Sequence, residues 1–165
     1  MKQDKLRYLL LAALISAICV IGSFIKVPGF ITTAALDSAP AFLSVFFLPP
    51  LYAGAVGTIG HLATALTSGM PLGPFHLLIA VEMFVIVFIF AKLHQHNFKW
   101  TKWPFLILAN GILSPLPFYF LISPAFYLGA LPSLFVATVI NVVIVMACVP
   151  VISRVKKMMK WETSK

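Results

Sequence analysis

The stretch "GHLATALTSGMPLGPFH", residues 60–76, brackets a glycine- and proline-rich loop with two imidazoles, His61 and His76, and Glu82 follows six residues later. Imidazole and carboxylate groups together can move a proton, bind a metal or hold a polar ligand. Asp37 precedes them, and Tyr119 and Asn141 follow among further polar and aromatic positions. All of these lie beside or inside strongly apolar sequence. An ionisable group inside a bilayer is costly, so each one is a candidate for function.

The elements that must position these groups are membrane helices. The 165 residues are 61% hydrophobic and 10% charged, too little polar surface for a water-soluble domain of this size. Almost nothing remains for a separate catalytic or ATPase domain. The formal net charge of +8 comes from basic residues at the ends of apolar runs. Lipid headgroups and membrane orientation explain that placement, and nothing in it suggests a nucleic-acid partner. Cys19 and Cys148 both sit in apolar runs and read as free buried thiols. The N-terminal run from Tyr8 to Ile25 is longer than a usual signal-peptide core and reads as a retained first helix.

Charge then counts the crossings. Lys2, Lys5 and Arg7, then Lys92, Lys99 and Lys102, then Arg154, Lys156, Lys157, Lys160 and Lys165 make eleven of the twelve basic residues. Only Lys26 lies elsewhere. The positive-inside rule sets all three segments in the cytoplasm. An even number of crossings must therefore separate the N-terminus from segment 94–102. The apolar block 38–66 is about 44 Å long as a helix, and Pro49-Pro50 breaks it. The expected fold is an all-α integral membrane protein in a single domain, 1–165, with both termini cytoplasmic. Its six transmembrane helices run over about 6–25, 38–48, 51–67, 75–93, 103–122 and 130–152. The outer loops are 26–37, 68–74 and 123–129.

This topology sets His61 about 9 Å inside the outer end of its helix and Glu82 about 10 Å inside the next. The two share a depth on consecutive antiparallel helices, with His76 and Asp37 at the outer mouth. A His61–Glu82 pair can bind a ligand or serve structure alone, each group satisfying the other. Asn110 and Ser114 lie one turn apart, and Thr138 and Asn141 share a face. They can face a cavity or join helices. Phe118, Tyr119, Phe120, Phe126 and Tyr127 form an interfacial belt or a platform for a flat ligand. Ala53, Gly57, Gly60 and Thr64 make a small-residue face that permits close helix approach.

Several chemistries have no motif here. There is no P-loop, HExxH or GxSxG. His94 and His96 form an HxH without a third ligand and read as ordinary loop residues. Neither a metal nor a cofactor is expected. On the outer side only Lys26 is a fixed cation, so a neutral or weakly basic, partly aromatic ligand suits the site better than a strong anion. A small membrane-embedded enzyme working through His61, His76 and Glu82 is the competing reading, and an assembly subunit without a ligand is a third.

The chain resembles the S components of energy-coupling factor (ECF) vitamin transporters over nearly its whole length. "AALISA" is similar to their AxxxA docking pattern, through Ala13 and Ala17. "SAPAFLSVFFLPPLYAGAVGTIGHLATAL" is similar to their second and third helices. The resemblance implies a six-helix bundle, in a bacterial plasma membrane, that captures a vitamin and topples on its partners. Those partners are a transmembrane coupling subunit and two ATPase subunits. "GHLATALTSGMPLGPFHLLIAVEM" looks most like S components assigned to α-ribazole, a cobalamin precursor. A thiamine precursor and riboflavin stay open as ligands. On this reading His61, His76, Glu82, Asn141, Asp37 and Tyr119 contact the substrate, and Ala13 and Ala17 dock on the coupling subunit.

Overall fold

The computed structural model describes residues 2–27 and 34–162. Met1, residues 28–33 of the first long loop and residues 163–165 of the basic tail lie outside them.

Ten short and long elements build one helical bundle. In order they are α1 (Lys2–Gly22), β1 (Lys26–Val27), β2 (Ala34–Ala35), α2 (Ser38–Ser44), α3 (Pro50–Thr67), α4 (Phe75–Gln95), α5 (Lys102–Leu108), a π-helical turn (Ala109–Leu113), α6 (Pro117–Leu121) and α7 (Pro124–Glu162). On length and composition four spans can cross a membrane: Gln3–Gly22, Phe75–Gln95, Lys102–Leu121 and Pro124–Arg154. Helix α2, of seven residues, and the 18-residue α3 complete the bundle between the first and second of these spans.

Proline and glycine chemistry explains the boundaries. Helix α2 stops at Ser44, four residues short of the expected end, and turns carry the chain through Leu48. Pro49 then adopts an extended backbone, φ −59° and ψ 153°, as a residue before proline must. Pro50 opens α3, where a missing N–H does no harm. The break at Pro49-Pro50 is thus where the sequence set it. The loop expected at 123–129 is instead the first turns of α7. Ser123 Oγ accepts the Phe126 N–H at 3.1 Å, and Pro124 takes the first helical position. A side-chain cap followed by proline is a strong helix start. Helix α1 begins earlier than expected and ends at Gly22, and α7 continues past residue 152 to Glu162.

The span Lys102–Leu121 is not one continuous α-helix. Pro115 cannot donate a backbone hydrogen bond, and the Ser114 N–H reaches back five residues to the Ala109 carbonyl at 2.8 Å. The resulting π turn, Ala109–Leu113, carries Asn110.

Packing centres on α3, which lies against α1, α2 and α4. Its small-residue face serves two neighbours at once. A Cβ on Gly57 would sit 2.8 Å from Val87 Cγ2 and 3.1 Å from the Met83 carbonyl of α4. A Cβ on Gly60 would sit 3.0 Å from Cys19 Cβ of α1. Close backbone approach of this kind is a principal source of helix association in lipid. Helix α1 turns Ala12, Ser16 and Cys19 inward, while Ala13 and Ala17 face outward and are exposed. Cys19 is buried, Cys148 is half-buried, and both are free thiols.

Candidate functional site

A cavity of about 230 Å³ opens between α3, α4, the π turn and α7, at the end of the bundle opposite the chain termini. Asp37, His61, His76 and Asn141 line it, together with Asn110, Ser114, Thr138, Phe118 and Phe126. Each polar group arrives by a distinct route.

His61 sits on the last turns of α3, and His76 is the second residue of α4. The loop between them turns sharply through left-handed backbone at Gly69, Met70 and Gly73. It brings the two rings within reach: His61 Nε2 lies 3.2 Å from His76 Nδ1. The Leu72 N–H donates to His76 Nε2 at 3.3 Å. A neutral imidazole carries one proton, so His76 holds its own on Nδ1 and donates it to His61 Nε2. His61 must then carry its proton on Nδ1. That N–H has no partner among the described residues, and His61 forms part of the cavity wall.

The sequence reading paired His61 with Glu82. The structure does not. Glu82 Oε2 accepts instead from Ser114 Oγ at 3.0 Å, and Glu82 lies outside the cavity lining. The reason is angular. His76 follows the tight 68–74 loop and meets His61, whereas Glu82, six residues on, faces Ser114 of the span Lys102–Leu121. The constellation of His61, His76 and Glu82 that an embedded enzyme would use is therefore divided between two separate contacts.

Asp37 was expected at the open mouth, and it is buried, 7% exposed. Its Oδ2 accepts from Thr64 Oγ1 at 2.6 Å, and its Oδ1 accepts from Ser38 Oγ at 3.3 Å. Burial pushes the Asp37 carboxyl above its usual range, while the Thr64 bond pulls it back. Asp37 lies in the connection before α2, outside the spanning helices. The ends of that connection are pinned by the antiparallel pairing of Lys26 with Ala35 and Val27 with Ala34. Lys26 Nζ also donates to Ser68 Oγ at 2.6 Å, tying the first loop to the second.

Asn141 is 1% exposed, and its hydrogen-bonding groups are engaged by backbone. Its Oδ1 accepts the Ala39 N–H at 2.8 Å, and its Nδ2 donates to the Ala35 and Ala137 carbonyls at 3.0 and 2.8 Å. Asn141 thus clamps the end of the first loop and the start of α2 onto α7. Asn110 Nδ2 donates to Thr138 Oγ1 at 2.8 Å, joining the π turn to α7 on the same wall.

Tyr119 lies off the cavity, 38% exposed, with its ring against Phe120 and Tyr127. The aromatic residues that do line it are Phe118 and Phe126, whose ring centroids are 6.1 Å apart. Sequence reasoning did not single out Thr64 as the partner of Asp37. It also read His94 as a loop residue, whereas His94 lies in the last turn of α4 and contacts Lys102. No group of three or more His, Cys, Asp or Glu residues able to hold a metal occurs among the described residues.

The arrangement is a mostly apolar, partly aromatic chamber. Among the described residues no lysine or arginine lines it, and the one acidic group that does, Asp37, is engaged by two hydroxyls. It can exchange hydrogen bonds with an uncharged ligand and cover a flat ring.

The model of the family "ECF transporter, substrate-specific component" matches residues 7–163. No curated protein and no solved structure was found to match. Nearly the whole chain is covered by that family, and the apolar helices and membrane-spanning lengths agree with it. The chain belongs to the substrate-specific components of ECF transporters, membrane subunits that bind a small substrate and pair with coupling and ATPase subunits.

Proposed function

We propose that this chain captures an uncharged, partly aromatic vitamin precursor in the cavity beside His61, with α-ribazole the best-fitting ligand. The observation that carries this reading is the lining itself. Aromatic Phe118 and Phe126 share it with hydrogen-bonding side chains, and among the described residues no lysine or arginine lines it to meet a phosphate. A benzimidazole suits the aromatic side. Ribose hydroxyls suit the His61 Nδ1–H, Ser114 and Asn110. α-Ribazole carries both and no phosphate.

The positive-inside rule supports an orientation with the termini in the cytoplasm and the cavity facing out. The ligand then enters from outside. Ala13 and Ala17, exposed on α1, meet the coupling subunit, whose ATPase partners drive release.

Mass spectrometry of small molecules extracted from the detergent-purified chain tests the assignment. Bound α-ribazole supports it. A thiamine precursor or riboflavin in its place keeps the transport role and overturns the substrate.

A further inference from the structure

A second polar cluster lies at the other end of the bundle. Helix α4 carries His76 at the cavity and His94 eighteen residues on, about 27 Å away along the axis. There Lys102, the first residue of α5, is buried, 6% exposed. His94 Nδ1 accepts from Lys102 Nζ at 2.9 Å. The ammonium also lies 4.9 Å from the centroid of Trp103 and 5.3 Å from that of Phe46.

An ammonium has three donors, and a buried one normally has a carboxylate beside it. No carboxylate pairs with Lys102 among the described residues; an imidazole and aromatic faces hold it instead. Among the described residues the cation is therefore positioned without a counter-charge. It forms part of the wall of an open cleft of about 270 Å³. Lys99 adds a second positive charge to the lining, and among the described residues no Asp or Glu contributes to it. The rest of the lining includes Phe46, Phe98, Val149 and Ile152.

Lys102 also opens the apolar span Lys102–Leu121, the level at which a bilayer passes from tails to headgroups. Trp100 is 82% exposed just before it, as interfacial aromatics are. Basic pockets between helices at this level suit anionic headgroups.

We propose that this cleft binds a net-negative phosphate group on Lys102 and Lys99, supplied by an anionic phospholipid headgroup or by free phosphate. The apolar walls favour the lipid, since an acyl chain can follow Phe98 and Ile152 out of the cleft. The site is separate from the cavity at His61 and does not depend on what that cavity binds.

Native mass spectrometry of the full-length chain tests it, with phosphatidylglycerol and phosphatidylcholine offered at equal concentration. The wild type is expected to retain phosphatidylglycerol preferentially. Lys102→Met, which removes a charge-assisted contact, is expected to lower that retention about tenfold and leave phosphatidylcholine unchanged. Should Lys102→Met fail to fold, Lys99→Gln carries the same comparison, with about a threefold loss expected from a less buried contact. A melting temperature raised by inorganic phosphate, without lipid preference, assigns the site to a free anion. Equal retention of both lipids with no response to phosphate overturns the proposal.

Discussion

His76 donates its Nδ1–H to His61 Nε2 across 3.2 Å because its own Nε2 already accepts the Leu72 N–H. The short loop between α3 and α4 therefore fixes the tautomer of both rings and leaves the His61 Nδ1–H as a donor. His61→Ala removes that donor without disturbing backbone. It is expected to weaken ligand binding about tenfold, the value of one hydrogen bond, while the protein stays folded. His76→Ala releases both the loop and the His61 ring, so it should lower the melting temperature as well. Calorimetry paired with thermal unfolding separates the two. Equal loss of stability in both variants would deny His61 its ligand-facing role.

Asn141 holds three backbone groups, two in the distant segment 35–39 and one in its own helix. Asn141→Leu keeps the volume but orphans the Ala39 N–H and the Ala35 carbonyl. The expected loss is roughly 2–3 kcal/mol of stability, read as a lower unfolding temperature in detergent. An unchanged melting temperature would show that the clamp contributes nothing.

Glu82→Gln preserves an acceptor for Ser114 and lies off the cavity lining. Ligand affinity should change less than about threefold, within what one indirect contact contributes. A loss of a hundredfold would place Glu82 on the ligand after all.

Ala13→Leu or Ala17→Leu adds bulk to an exposed face of α1 and touches none of the cavity lining. Ligand binding by the isolated chain should persist, and uptake in cells supplying the coupling and ATPase subunits should fail. Impaired binding in either variant would contradict a docking role.

Gly57→Val tests the α3–α4 contact. Its first added atom would meet the Met83 carbonyl at 3.1 Å, and backbone cannot give way as a side chain can. A penalty of about 1–3 kcal/mol is expected, measured by thermal unfolding.

What was legible in the sequence followed from local rules. Pro49-Pro50 breaks a block too long for one crossing because proline restricts its neighbours. The Ala53, Gly57, Gly60 and Thr64 stripe announces close approach because no side chain fills it. His61 and His76 stood out because apolar sequence surrounds them. What stayed hidden depends on rotation and on long-range pairing. Six positions along α4 set Glu82 about 120° around the helix from His76, and depth along a helix says nothing about which of the two faces His61. Asn141 finds its partners more than 100 positions back along the chain, at Ala35 and Ala39. Asp37 is drawn inward by Thr64, a residue that read only as a small one. The helical start at Ser123-Pro124 was open to a local reading, since a cap before proline is a helix signal. The proline and glycine of 123–129 read as loop residues instead.

The most direct measurement is calorimetric titration of α-ribazole into the purified chain, wild type beside Ala137→Met. Ala137 lines the cavity and is 4% exposed, so a longer side chain there fills the space the ligand needs. Saturable one-to-one binding to the wild type, lost in Ala137→Met, is the expected result. No binding to the wild type, or equal binding to both, would contradict a ligand held in this cavity.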